Sequence, residues 1–189
     1  MDIFSHGLWA AAAAKGVNQA QDKRRVNIWA AALWGVFPDL FAFSIPFLWL
    51  LWSFTFGDLP IASLQADRPP LGEPIGRDSL WIFQLSSALY NVSHSLIIFT
   101  VVFLGVWAYF KQARLELIGW LLHILTDVPT HTYAFFPTPV FWPLFDWKFD
   151  GFVWGQPWFI LLNYSLLLLV FAFLWKRHRT LSLHKEVKE

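Results

Sequence analysis

The sequence predicts an all-α fold: a polytopic transmembrane bundle of about four to five membrane helices, some short or broken, with an outward-facing aromatic interfacial segment. Three observations carry this. Of 189 residues, 57% are hydrophobic and only 14% are charged. Soluble domains carry roughly a quarter charged residues, so the deficit points to lipid as solvent. Long apolar runs recur along the chain between short basic or Pro/Gly-rich stretches. Thirteen Trp and twenty Phe supply the rings that gather where membrane meets water.

The elements follow in order. Ile3 to about Val17 is apolar and Ala-rich, enough for a partial crossing. From Val26 to Phe56 the chain is apolar apart from Asp39. As one helix it would run roughly 46 Å, well beyond a hydrocarbon core of ~30 Å. A short helix, a break at Phe37-Pro38-Asp39 and a second helix to Phe56 are therefore expected. Gly57 to Arg77 reads as an exposed loop punctuated by Arg68-Pro69-Pro70. Ser86 to Phe110 is a span interrupted by polar groups from Asn91 to Ser95, and Lys111 and Arg114 mark a turn. Leu115 to Val128 is a helix ended by Pro129. His131 to Gly151 is aromatic and Pro-rich, and suits an interfacial segment. Phe152 to Trp175 is the last span, closed by Lys176-Arg177-His178-Arg179.

A single integral membrane domain, 1–189, is expected, with an outer loop at 57–85, an outer interfacial segment at 129–151 and a cytoplasmic tail at 176–189. The basic groups Lys15 to Arg25, Lys111 with Arg114, and Lys176 to Arg179 fall on one side if the turns alternate. The positive-inside rule makes that side the cytoplasm. Asp2 precedes any basic residue, and Lys23-Arg24-Arg25 comes late, so a cleavable signal peptide is not expected. The net charge of +1 gives no argument for nucleic acid. With no cysteine, disulfides and thiolate ligands are excluded, and any metal must be held by His and carboxylates.

Ionisable residues within spans cost several kcal/mol unless paired, so each is a functional candidate. Here they are His6, Asp39, His94, His123 and Asp127, with His131 just beyond. His123 and Asp127 stand four apart, on one helix face. That pair alone equally suits a helix-bracing contact. The agreement in depth is stronger: four separate segments bring polar side chains to the outward half of the membrane. The set suits zinc, with manganese or iron as alternatives, and is large enough for one or two ions. Asp2 is a helix N-cap or a carboxylate orienting His6, and Ser93 and Ser95 pack helices or support His94. Glu116 reads as an interfacial charge, and His178 and His184 as solvated tail residues. Asp146, Lys148 and Asp150 are read as anchoring the interfacial segment.

Four motifs carry a resemblance: Asp2-Ile3-Phe4-Ser5-His6-Gly7-Leu8, Phe37-Pro38-Asp39-Leu40, Ser93-His94-Ser95-Leu96, and the run from Gly119 to Asp127 followed by Pro139-Val140-Phe141-Trp142-Pro143. In order and spacing the chain resembles the YdjM-like, LexA-binding, inner-membrane-associated family of metal-dependent hydrolases. Two places depart from that pattern. Phe41 stands where the family has a second acidic residue, and Leu89-Tyr90-Asn91 where many members have His-Arg-Gly. The ligand vocabulary is also similar to that of zinc-dependent phospholipases C.

The resemblance implies a membrane hydrolase of the bacterial cytoplasmic (inner) membrane. Together with the polar cluster it leads to an expectation of phosphoester cleavage on a lipid or lipid-linked substrate, at the outer half of the bilayer. His6, Asp39, His94, His123 and Asp127 would be the ligands. Asp127 and His131 would carry the catalysis, His131 as a further ligand or as general acid. Two rival readings use the same residues: an ion- or proton-coupled transporter, and a non-catalytic scaffold whose polar groups only hold helices together. Oligomeric state is not encoded legibly.

Overall fold

A computed structural model describes residues 1–20, 25–57, 81–134 and 136–186, with side chains to Leu181. The described residues form helices and irregular segments, without strands. The helices are α1 (Ile3–Ala20), α2 (Ile28–Phe56), α3 (Trp81–Ser93), α4 (Leu96–Phe110), α5 (Ile118–Thr130, entered through a 3-10 turn at Leu115–Leu117) and α6 (Pro157–Glu186). Two of them are long and apolar enough to cross a membrane, Ile28–Phe56 and Pro157–Leu181. A third crossing exists if α3 and α4, bent by 56° at their junction, count as one. That is fewer than the four to five expected, because α1 and α5 are too short or too mixed and serve instead as packing partners for α2.

The expected break at Pro38 does not occur. α2 runs unbroken through both Pro38 and Pro46. Proline lacks the N–H that the carbonyl four residues earlier requires, and in an apolar environment the freed oxygen needs another donor. Pro46 frees the Ala42 oxygen, which accepts from Ser86 Oγ at 3.4 Å. In the turn loosened by Pro38, the Gly35 oxygen accepts from His123 Nδ1 at 2.7 Å. Asn27 caps the start of α2 through the Ala30 N–H, and Glu116 accepts from the Asn27 N–H at 3.2 Å. Glu116, read as an interfacial charge, is thus also tied to a helix terminus.

The span expected over 86–110 starts earlier, at Trp81, and breaks at His94–Ser95. Ser95 caps α4 by accepting from the Ile97 and Ile98 N–H groups. The bend lets the His94 side chain enter the interior instead of lining a straight helix. α5 carries Pro129 inside its last turn and ends two residues later than expected. Of the expected outer loop, 58–80 lies outside the described residues, and 81–85 is helical.

Close approach of α1, α2 and α5 depends on small residues. A Cβ on Gly35 would lie 2.8 Å from the His6 oxygen. One on Gly119 would be driven into the Ala31 carbonyl and to 2.9 Å from the Gly35 nitrogen. Phe99, Leu117, Trp120 and Ile124 form the aromatic core behind this crossing, flanked by Trp34 and Phe37. The buried Trp120 N–H donates to the Ser93 oxygen at 2.6 Å.

From His131 to Gln156 the chain is irregular, as expected for the aromatic segment, and it is bound to the helices through its backbone. Val140 accepts from the Leu96 N–H, and Gly151 and Phe152 donate to His131 and Pro129. Asp150 accepts from the Tyr133 N–H at 3.0 Å and Lys148 pairs with Asp146 at 2.9 Å, so these charges brace the segment itself. α6 starts at Pro157 rather than Phe152 and continues as helix through the basic residues expected to form a tail. It is held to α1 by polar contacts: Trp9 Nε1 to Asn163 at 2.9 Å, Asn163 to Ser5 Oγ at 2.7 Å, and Gln19 to the Leu174 oxygen at 2.8 Å. Most of its remaining apolar surface is exposed. The end of α1, the start of α2 and the 3-10 turn meet at one pole, where Ala14, Val26, Ala31 and Leu115 pack together.

Candidate metal centre

Each element contributes one or two polar side chains to a common point. α1 brings His6, α2 brings Asp39, the α3–α4 junction brings His94, and α5 brings His123, Asp127 and, at its cap, His131. The His6, His94, His123, Asp127 and His131 side chains are at most 3% exposed, and Asp39 is 13% exposed. Asp39, His94, His123 and Asp127 offer ligand atoms that all lie within 4.8 Å of one another, a group able to hold a metal ion.

The ring tautomers follow from the outer contacts. A carbonyl oxygen only accepts, so a ring nitrogen set against one carries the proton. His123 Nδ1 faces the Gly35 oxygen, and His94 Nδ1 the Tyr90 oxygen at 3.2 Å, with Ser93 Oγ at 2.9 Å. His131 Nδ1 faces the Phe136 oxygen at 2.9 Å. Thr126 donates its hydroxyl proton to the Leu122 carbonyl and therefore accepts from His6 Nδ1. In its neutral form each of the four rings turns an Nε2 lone pair inward.

That leaves acceptors facing acceptors. His94 Nε2 and His123 Nε2 are 2.9 Å apart. Asp127 Oδ2 lies 3.4 and 3.2 Å from them, and Asp39 Oδ1 3.7 and 3.6 Å. These spacings resemble ion pairs, yet Asp127 Oδ2 and His6 Nε2 are buried without a hydrogen-bond donor. Two ring nitrogens 2.9 Å apart cannot both carry a proton, so at least one of these Nε2 atoms faces its neighbours as a bare acceptor. A cation seated among them would resolve the conflict. A tetrahedral ion with bonds of ~2.0–2.1 Å spaces its ligands about 3.3 Å apart, close to the edges found here. The donor set of two imidazoles and two carboxylates fits a divalent metal, and each imidazole is braced by the carbonyl or hydroxyl contact that orients metal-binding histidines.

The supporting residues only partly match expectation. Ser93 braces His94 as one of the two roles foreseen for it. Ser95 does not reach the centre; its hydroxyl caps α4 and donates to the Trp142 oxygen. Asp2 is a helix cap: it accepts from the Ser5 N–H at 3.0 Å, the Ser5 hydroxyl, and Tyr164 at 3.0 Å. Burial opposes ionisation of Asp2, but those donors outweigh it and hold its carboxyl below the ordinary range. The Met1 amino group, unforeseen, donates to Asp127 Oδ1 and stands 3.0 Å from Thr130 Oγ1 and 3.1 Å from His131 Nε2. Tyr90 was also missed. Its ring stacks on His94 at 3.7 Å, and its hydroxyl lies 2.9 Å from His131 Nδ1. Tyr90 falls in the stretch where the chain departs from the resembling family, and its polar tip in an apolar run was the available signal. Phe41, the other departure, packs on Phe37 and is 39% exposed, turned away from the centre. His178 is exposed, and the His184 side chain is outside the described residues.

Fold and site together define a class: an all-helical chain with two or three helices fit to cross a bilayer and a buried His/Asp group able to hold a metal ion. Comparison with protein-family models, curated proteins and solved structures finds no match.

Proposed function

We propose that the protein is a membrane-embedded, metal-dependent hydrolase that cleaves a phosphoester of a lipid or lipid-linked substrate. The observation that carries this is the buried convergence of Asp39, His94, His123 and Asp127, with the His94 and His123 Nε2 atoms 2.9 Å apart and Asp127 Oδ2 without a hydrogen-bond donor. Zinc suits the mixed imidazole–carboxylate set best, with manganese or iron as alternatives. Such an ion supplies Lewis acidity and lowers the pKa of water towards neutrality. The chain's own groups do the rest: Asp39, His94, His123 and Asp127 hold and orient, and His131 closes the centre on the Oδ1 side of Asp127.

The aromatic segment lies beside the centre, bound through the backbone of Leu96, Pro129 and His131. Its exposed Phe141, Leu144, Phe145 and Trp147 suit the level of lipid headgroups. A substrate with its tail in the bilayer and its phosphate above would meet the centre there. By the positive-inside rule the pole carrying Lys15, Arg25 and Arg114 is cytoplasmic and the centre faces outward, in a bacterial inner membrane.

The test is hydrolysis of phospholipids and isoprenoid phosphates by the detergent-purified chain, with metal content measured alongside. Asp127→Asn is expected to abolish both. Activity that survives this change, or a wild type that stays metal-free after metal is added, refutes the reading. The 56° bend at His94 favours one rival, a transporter with a broken helix at its ion site. Ion flux into liposomes without substrate turnover would establish that rival instead.

A further inference from the structure

Asp127 faces two ways. Its Oδ2 looks towards His94 and His123, at 3.4 and 3.2 Å. Its Oδ1 looks towards His6 Nε2 at 3.0 Å and His131 Nε2 at 3.5 Å. These edges on the Oδ1 side match those on the Oδ2 side, and the Met1 ammonium lies between Oδ1 and His131 Nε2, 3.1 Å from the latter. His6 spends its Nδ1 proton on Thr126, so its Nε2 meets Asp127 as one acceptor meets another, buried and without a donor. We propose that the centre holds two divalent cations bridged by Asp127, the second held by His6, His131 and Asp127 Oδ1. This rests on the metal reading above and deepens it.

Three further points support the second position. His6 and His123 stack with ring centroids 3.6 Å apart and planes 22° from parallel. Their Nε2 atoms approach opposite oxygens of Asp127, at 3.0 and 3.2 Å, and two ions on those oxygens would sit at the ~3.5–4 Å spacing of two-metal sites. The Oδ1 side already accommodates a positive group, since the Met1 ammonium donates to Asp127 there. An entering cation meets that same oxygen in the ammonium's place. Of the two roles open to His131, ligand and general acid, this takes the first.

The charge balance then narrows the substrate. With neutral imidazoles, one dication balances Asp39 and Asp127, and the Met1 ammonium leaves the centre singly positive. A second dication in the ammonium's place makes it doubly positive, the complement of an anionic phosphoester. A neutral carboxylic ester would lack that attraction.

The test is metal per chain by mass spectrometry on the full chain in detergent, equilibrated with zinc or manganese and freed of excess. Two ions are expected for the wild type, one for His6→Gln and His131→Gln, one for Asp39→Asn, and none for Asp127→Ala. Manganese in the wild type is expected to give the multiline resonance of an exchange-coupled pair, which needs no variant to fold. One ion in the wild type, unchanged in His6→Gln and with an isolated six-line signal, overturns the second site and leaves the first standing. No ion in the wild type overturns both.

Discussion

Gly119→Ala adds one methyl group at the point where α5 crosses α2. The new Cβ would lie 2.9 Å from the Gly35 nitrogen and closer still to the Ala31 oxygen. Nonbonded heavy atoms rest ~3.5 Å apart or more, so the two helices must separate by about 1 Å. Neither obstacle is a flexible side chain. The crossing is one turn from His123, whose Nδ1 is held by the Gly35 oxygen at 2.7 Å. Separation lengthens that bond and draws His123 and Asp127 away from Asp39. Loss of such a bracing contact costs about 10- to 100-fold in metal affinity, and the overpacking itself about 1–3 kcal/mol of stability. Zinc affinity by chelator competition and thermal melting in detergent would read both. Gly105→Ala is the control, because a methyl group there meets nothing within 4 Å. Wild-type affinity and melting in Gly119→Ala would refute the account of this crossing.

Other consequences can be measured in the same preparations. Tyr90→Phe keeps the ring stacked on His94 and removes the hydroxyl from His131, so metal affinity should fall about 10-fold with the fold intact, read by chelator competition and circular dichroism. Ser86→Ala strands the Ala42 carbonyl freed by Pro46 and should cost about 0.6–1.7 kcal/mol, read from the melt; Pro46→Ala combined with it should restore most of that loss. Chelation of the metal should lower the melting temperature, and zinc at 100 times its dissociation constant should return about 2.7 kcal/mol. An unchanged melt after chelation would mean that the cluster is not occupied by metal in the purified chain.

The candidate ligands were legible because lipid makes ionisable residues conspicuous: His6, Asp39, His94 and Asp127 interrupt largely apolar runs, and all converge in space. Helix existence was legible for the same reason. What sequence patterning missed was the remedy for local rule-breaking. Pro38 reads as a break because its freed carbonyl looks unsatisfiable within α2. His123 reaches that turn from 88 residues beyond the Gly35 oxygen it binds, and the carbonyl freed by Pro46 meets Ser86, 44 residues on. The number of crossings failed for a related reason. α1 and α5 are apolar in composition, yet their length suits a buried layer around the centre more than a full crossing. Tyr90 was hidden because its role appears only when the α3–α4 bend brings it against His94 and His131.

The distribution of ligands along the chain also sets an order of biogenesis. His6, Asp39 and His94 leave the ribosome before His123 and Asp127 exist, so during synthesis the first helices hold polar groups whose partners are still missing. α5 is the keystone of this sequence, since it supplies the carboxylate that all the other elements face. If the centre takes up metal, loading would come only after residue 131 has emerged. α6 comes last and touches the assembly chiefly along α1, through Ser5, Trp9 and Gln19. A nascent chain halted before α6 would already contain every ligand, with α1 awaiting its last neighbour.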